Sequence, residues 1–215
     1  MYFKQQRERA SAYWSLFKQA VKGNVDEDYT QGSVGRAAFL LAVPMILEMS
    51  MESIFAVVDI FFVSGLGAEA VSVVGLTEAV ITLLYAVAIG LSMGTTALVA
   101  RRIGEKKRAK ACIAAGQAIW SSGFVSAGVA IIGLLFAKDI LLLMGADETV
   151  VAMGHNYTSI MLAGSFTIMF LFVNNAIFRG AGDATIAMRS LWLANGINII
   201  LDPLLIYGIC IFPEM

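Results

Sequence analysis

Apolar residues run through this chain in long blocks, and charged residues collect between them. Five blocks are long enough to cross a bilayer as helices, for which about 20 residues suffice. They cover residues 37–64, 71–100, 111–136, 150–178 and 186–212, to within a few positions. Several exceed the minimum, which predicts tilt or kinks. Pro44 and Pro203 are the expected kink sites, because each removes an intrahelical hydrogen bond. Residues 140–144 are too short to span and read as a connector before the fourth helix.

Residues 1–35 have another pattern. Ala10, Tyr13, Trp14, Phe17, Ala20 and Val21 recur at helical spacing, with Lys4, Arg7, Ser11, Ser15, Lys18 and Lys22 on the other side. This predicts an amphipathic helix with a basic face and aromatic anchors, suited to a membrane surface. A cytosolic tail of little consequence fits the same residues. No apolar h-region follows the early charges, so a cleaved signal peptide is not expected. The expected organisation is a tail over 1–35 and a transmembrane bundle over 36–215.

Composition agrees with a membrane protein. Of the 215 residues, 59% are hydrophobic and 14% charged, against about 45–50% and 25% in an average soluble domain. Three prolines and twenty glycines favour long helices. The fold class is therefore all-α and polytopic. A net charge of −1 gives no sign of a nucleic-acid partner, and two cysteines make no disulfide scaffold. The 15 basic residues set a direction. Six lie in the tail, counting Arg36 just past it, six between spans two and three, and two, Arg179 and Arg189, after span four; only Lys138 falls on the opposite side. Lys and Arg are retained in the cytoplasm, so a 14-to-1 split predicts a multi-pass plasma-membrane protein with a cytoplasmic N-terminus.

Five carboxylates fall inside the predicted spans: Glu48, Glu52, Asp59, Glu78 and Asp202. An acid at a helix centre costs about 2.5–3.5 kcal/mol on insertion scales, and such residues face cavities or ion paths. None has a basic partner within its own span, so protonation or a bound cation is the expected remedy. Glu48, Glu52 and Asp59 share one face of the first span, within roughly 40°. Asn195, Asn198 and Asp202 share a face of the fifth, within about 60°. Carboxylate and amide oxygens are hard ligands that suit a sodium-like ion, and they equally suit a proton. The alternative is interhelical hydrogen bonding that merely holds the bundle. Asn175 is favoured over its neighbour Asn174 as a further cavity residue. A lone histidine, His155, makes no metal site and reads as a surface or interface residue. Eleven methionines and thirteen phenylalanines suit a pliable pocket or ordinary packing equally.

Several segments resemble the N-terminal half of the multidrug and toxic compound extrusion (MATE) transporters. They are Pro44 with Val58-Asp59-Ile60-Phe61-Phe62-Val63 and Leu66-Gly67; Val74-Gly75-Leu76 with Gly90-Leu91-Ser92-Met93-Gly94 and Ala100-Arg101-Arg102-Ile103-Gly104; Arg179-Gly180-Ala181-Gly182-Asp183; and Asn198, Asp202, Pro203, Leu204 and Ile206. Their order and spacing are jointly specific, from about Gly35 onward. The resemblance implies an antiporter in which two six-helix bundles rock around a cavity and expel cationic or amphipathic compounds against Na+ or H+, with no other cofactor. It implies a coupling site at Asp59, Asn198 and Asp202, with Asn175 from the fourth span, and no metal beyond Na+ there. It assigns no role to Glu48, Glu52 or Glu78, which with Asn195 are candidates for lining the cavity. A sixth helix and a second bundle are expected partners that the 215 residues do not contain, so the chain reads as an N-terminal fragment of a non-enzymatic transporter. Two other readings compete. Gly180-Ala181-Gly182-Asp183 matches the signature of intramembrane aspartyl proteases, but Asp183 falls in a loop and Val58, not tyrosine, precedes Asp59. A lipid-linked oligosaccharide flippase of the same superfamily would favour basic cavities, and these spans are acidic.

Overall fold

A computed structural model describes residues 2–23, 29, 32–65 and 67–206, with side chains from Ser11 onward. Seven helices follow one another: α1 (Tyr2–Lys22), α2 (Val34–Ser64), α3 (Ala68–Gly104), α4 (Arg108–Leu143), α5 (Glu148–Ala163), α6 (Ser165–Gly180) and α7 (Ala184–Ile206). There is no strand among the described residues. Four helical segments are long and apolar enough to cross a membrane: α3, α4, α5 with α6, and α7. Helix α2 has 31 residues and carries three acids; it lies outside that set but packs along α7 as a fifth long helix. The predicted fifth span reaches residue 212, and its end lies outside the described residues.

The helices overrun the predicted spans. At 1.5 Å per residue the 37 residues of α3 extend about 55 Å, well beyond a hydrocarbon core of about 30 Å. Arg101 and Arg102 therefore ride on the last turn of α3, and Arg108 and Lys110 on the first turn of α4. Arg179 and Arg189 are helical too, on α6 and α7, rather than in a loop. The expected connector at 140–144 is corrected as well: α4 runs on to Leu143, and Met144 is its cap. The break comes earlier, at Phe136, whose φ of −124° and ψ of 16° are the non-helical dihedrals inside a helix. Pro44 and Pro203 instead sit within α2 and α7 without ending them. The fourth span is divided at Gly164, which ends α5 and begins α6.

Two groups of helices make the bundle. Helices α3, α4, α5 and α6 pack on one another, and α2 pairs with α7 under α1. Lipid tails are as apolar as leucine, so the first group is held by close approach and hydroxyl bonds rather than by hydrophobicity. A Cβ on Gly154 would stand 2.5 Å from Val73, one on Gly133 2.2 Å from Leu162, and one on Gly180 2.9 Å from both the Thr96 carbonyl and Val99. Thr77 and Thr158, both fully buried, share a hydrogen bond of 2.8 Å between α3 and α5. Ser165 donates to the Ser126 carbonyl at 3.3 Å, and Thr96 to the Ala176 carbonyl at 3.1 Å.

Helix α1 is docked, not free. Ala20 is buried against Leu40 and Val43 of α2, with Phe17, Val21 and Tyr29 packed around them. Arg189 of α7 donates to the carbonyls of Val21 and Lys22, closing the C-terminus of α1. Gly23, at φ 72°, then turns the chain against Thr185. Asp183 accepts from the Thr185 backbone N–H at 3.0 Å and its hydroxyl at 2.6 Å, which caps the start of α7. The glycine-rich loop before α7 thus serves packing and capping.

Candidate functional site

The three acids of α2 meet different surroundings. Glu48 is buried. Its Oε1 accepts from Asn175 Nδ2 at 3.4 Å and lies 3.5 Å from the Arg179 guanidinium, while Oε2 has no partner. Arg179 also donates from Nε to the Asn175 carbonyl at 3.3 Å, which ties its side chain to α6. The expectation that no membrane acid has a basic partner within its own span holds for Glu48, yet a base reaches it all the same. The partner comes from another helix, at the end of α6, a relation that spacing within α2 does not reveal. Asn175 is brought to Glu48 by this arrangement. Its neighbour Asn174 bonds its own helix, donating to the Phe170 carbonyl at 2.9 Å.

Asp59 is half-buried further along the same face of α2, which packs along α7 and touches α3. Asn198 lies one turn before Asp202. Its amide nitrogen donates to both carboxylate oxygens, at 2.6 and 2.8 Å, and this pairing sets the orientation of the amide. Asn198 and Asp202 are thus joined directly, and Asp59 lies on α2, the helix packed along theirs. Among the described residues no ion pair links Glu52, Asp59, Glu78 or Asp202 to a base. No group of three His, Cys, Asp or Glu side chains converges there as a metal site either. The donors are carboxylate and amide oxygens, the hard set that suits an alkali cation or a proton.

The remaining candidates extend this face. Glu52 and Glu78 are exposed, and Tyr85 lies two turns beyond Glu78 on the same face of α3. Tyr157 lies on α5, which packs against α3, the helix of Glu78 and Tyr85. Neither tyrosine stood out in the sequence. Tyr85 was findable, since it lies seven residues after Glu78 and hence on the same helix face; Tyr157 has no such signal. The Tyr85 ring packs 5.7 Å from Phe172. Asn195 is buried, with its Nδ2 unpartnered. His155 is half-buried on α5 with Nδ1 3.1 Å from the Val151 carbonyl, away from these acids in any hydrogen bond.

Comparison with known proteins gives one consistent result. The MatE family profile matches residues 44–204. A FAD transporter of Shewanella oneidensis is 30% identical over 182 residues, covering 85% of this chain and 40% of its own. The probable multidrug resistance protein NorM of Thermotoga maritima is 30% identical over 207 residues, covering 94% and 42%. Among solved structures, an outward-facing multidrug resistance MATE transporter of the MOP superfamily matches 90% of this chain and 41% of its own, with 34% identity and a TM-score of 0.77. A MOP superfamily transporter from Pyrococcus furiosus, described as having a binding pocket of reversed polarity, matches at 34% identity and a TM-score of 0.76. The chain thus spans about two-fifths of the length of these relatives. Its helix order, its acid-bearing α2 and α7 and the profile match over most of its length agree: the chain belongs to the MatE family, whose members are efflux transporters and not enzymes.

Proposed function

We propose that this chain supplies the ion-coupling bundle of an exporter of cationic or amphipathic compounds, driven by Na+ or H+. The observation that carries the proposal is the Asp202 carboxylate held by the Asn198 amide, with Asp59 in electrostatic reach and no base paired to either acid. Loading a proton or a sodium ion neutralises the pair and lets α2 and α7 close on each other. Release restores the repulsion and reopens them. That alternation couples ion flow to the exposure of the cavity. Substrate enters against the acidic face made by Glu52 and Glu78, which favours positive charge. An anionic cargo, such as the dinucleotide in the name of the Shewanella relative or a lipid-linked sugar phosphate, requires basic side chains that this face does not present among its described residues.

The test is efflux by the full-length gene product in proteoliposomes. Asp202→Asn is expected to abolish ion-driven export of a cationic dye while leaving membrane insertion unchanged. Undiminished export sinks the coupling role. We further infer that the protein lies in the plasma membrane of a bacterial-type cell, with α1 and the α3–α4 loop in the cytoplasm, on the strength of the basic residues gathered there. Cys112, exposed near the start of α4, reports this directly. In a Cys210→Ser background a membrane-impermeant maleimide should label it only after the cells are permeabilised; labelling in intact cells reverses the orientation.

A further inference from the structure

A groove of about 460 Å3 opens between α1 and α7, apart from the acidic face. Trp14, Phe17 and Val21 of α1 and Met188 and Trp192 of α7 form its apolar walls. Lys18, Lys22 and Arg189 stand at its rim, and no acid lines it. The walls are fixed. Trp14 stacks on Phe17 with centroids 5.6 Å apart, and Trp192 donates to the Leu47 carbonyl of α2 at 3.1 Å. The cations are placed as well. Lys18 sits 5.6 Å above the Trp14 ring, and Arg189 is anchored on the α1 carbonyls with further N–H groups to spare. Lys18, Lys22 and Trp14 remain exposed. Gly180, at the end of α6, packs on Thr96 and Val99 of α3. The groove therefore lies at the same end of the bundle as the basic α3–α4 loop.

We propose that this groove binds one anionic phospholipid, its phosphate held by Lys18, Lys22 and Arg189 and an acyl chain laid between the two tryptophans. The two halves of the groove point to one occupant. Three cations around an apolar aromatic slot match a ligand that carries a negative head on an apolar tail, and a tryptophan pair beside basic side chains suits the headgroup level of a bilayer. A free phosphate would use the cations and leave the slot unfilled. A neutral lipid would use the slot and leave three cations unmatched. The site is independent of the ion-coupling face, although Arg189 and Trp192 sit on the helix that carries Asn198 and Asp202.

The chain contains its own reporters. In a Trp120→Phe variant placed in nanodiscs, Trp14 and Trp192 report the groove. In a Trp14→Phe/Trp192→Phe variant, Trp120, exposed on α4, reports bulk lipid. Brominated phosphatidylglycerol, added at a low fraction to phosphatidylcholine, is expected to quench the groove pair about twofold or more above brominated phosphatidylcholine at the same fraction, with no such excess at Trp120. Lys18→Gln/Lys22→Gln/Arg189→Gln should erase the excess, and Lys18→Gln alone, at an exposed position, should lower it in part. Equal quenching by the two lipids overturns the proposal, and so does an excess that survives the triple variant. Loss of the excess on adding inorganic phosphate, but not chloride at equal ionic strength, would show a free-anion site and overturn it too.

Discussion

Glu48 and Asp59 share one face of α2, about 16 Å apart along its axis, and only one of them has a base. Glu48 is buried, accepts from Asn175 and faces Arg179 at 3.5 Å. Asp59 is half-buried on α2, the helix that packs along the Asp202-bearing α7, and has no ion pair among the described residues. A buried carboxylate beside a fixed guanidinium has its charge answered inside the protein, so it has no need of a mobile ion. A carboxylate with no base paired to it is answered only by something that arrives from solution. On the proposed coupling, the difference separates an acid that joins helices, α2 to α6, from acids that would work by being neutralised and recharged. Asn175, expected at the coupling site, bonds Glu48 on the joining side at 3.4 Å.

The largest expected effect breaks this contrast or confirms it. In the full-length gene product, Asp59→Asn should remove ion-driven efflux altogether, whereas Glu48→Gln, which keeps the shape and can still meet Arg179 and Asn175, should retain a substantial part of it. Transport is measured in proteoliposomes with an imposed ion gradient. Equal losses from the two substitutions would erase the distinction between the sites. Next in size is stability. Arg179→Gln strands the Glu48 charge among buried neighbours. Breaking a buried ion pair from one side costs about 3 kcal/mol at the lower end of the usual range, appropriate to a contact as long as this one. Thermal unfolding in detergent should fall clearly for Arg179→Gln and recover when Glu48→Gln is added. A neutral Arg179→Gln would show that the pair contributes nothing to joining α2 and α6.

The parts of this architecture that were legible in the sequence are those that depend on residues in chain order. Long apolar blocks, a polar stripe on 37–64 and the clustering of bases report spans and helix faces without reference to any neighbour. The pairing of Asn198 with Asp202 was legible for the same reason, since four residues make one helical turn. What stayed hidden involves a second helix. Arg179 looked like a loop charge because α6 runs two residues beyond its apolar block, and only packing carries it to Glu48, 131 positions away in sequence. The bond between Thr77 and Thr158 and the contact of Gly154 with Val73 leave no periodic trace, because in a membrane the interface is made by small residues that hydropathy does not distinguish. The kink at Phe136 gave no signal either: prolines mark where a backbone bond is missing, and this break has no proline.

The smallest effect concerns an acid outside the membrane, where the same comparison holds in water. Glu105 caps α3 and takes ion pairs of 3.0 Å from Arg101, Arg102 and Lys107. Hydrogen bonds from Lys107, Arg101 and Arg102, in that order, hold its carboxyl down at about 2. The folded value lies below the ordinary carboxylate value, so the stabilisation is present above about 4.3 and is lost as pH falls toward 2. Because the site is open to solvent and screened by salt, the effect is confined to the turn itself. Lys106, held at φ 57° in the left-handed region, is the residue that the cluster keeps in place. Hydrogen exchange at residues 102–108 should therefore quicken between pH 4.5 and 2, after correction for intrinsic rates, and Glu105→Gln should show the faster exchange already at pH 7. Both changes should shrink in high salt, whereas exchange around Glu48 and Arg179, whose pair is shielded from solvent, should not respond to salt at all. A salt-sensitive Glu48 region would mean that its ion pair is as open to water as that of Glu105, and the two acids of α2 would then no longer be distinguished by burial.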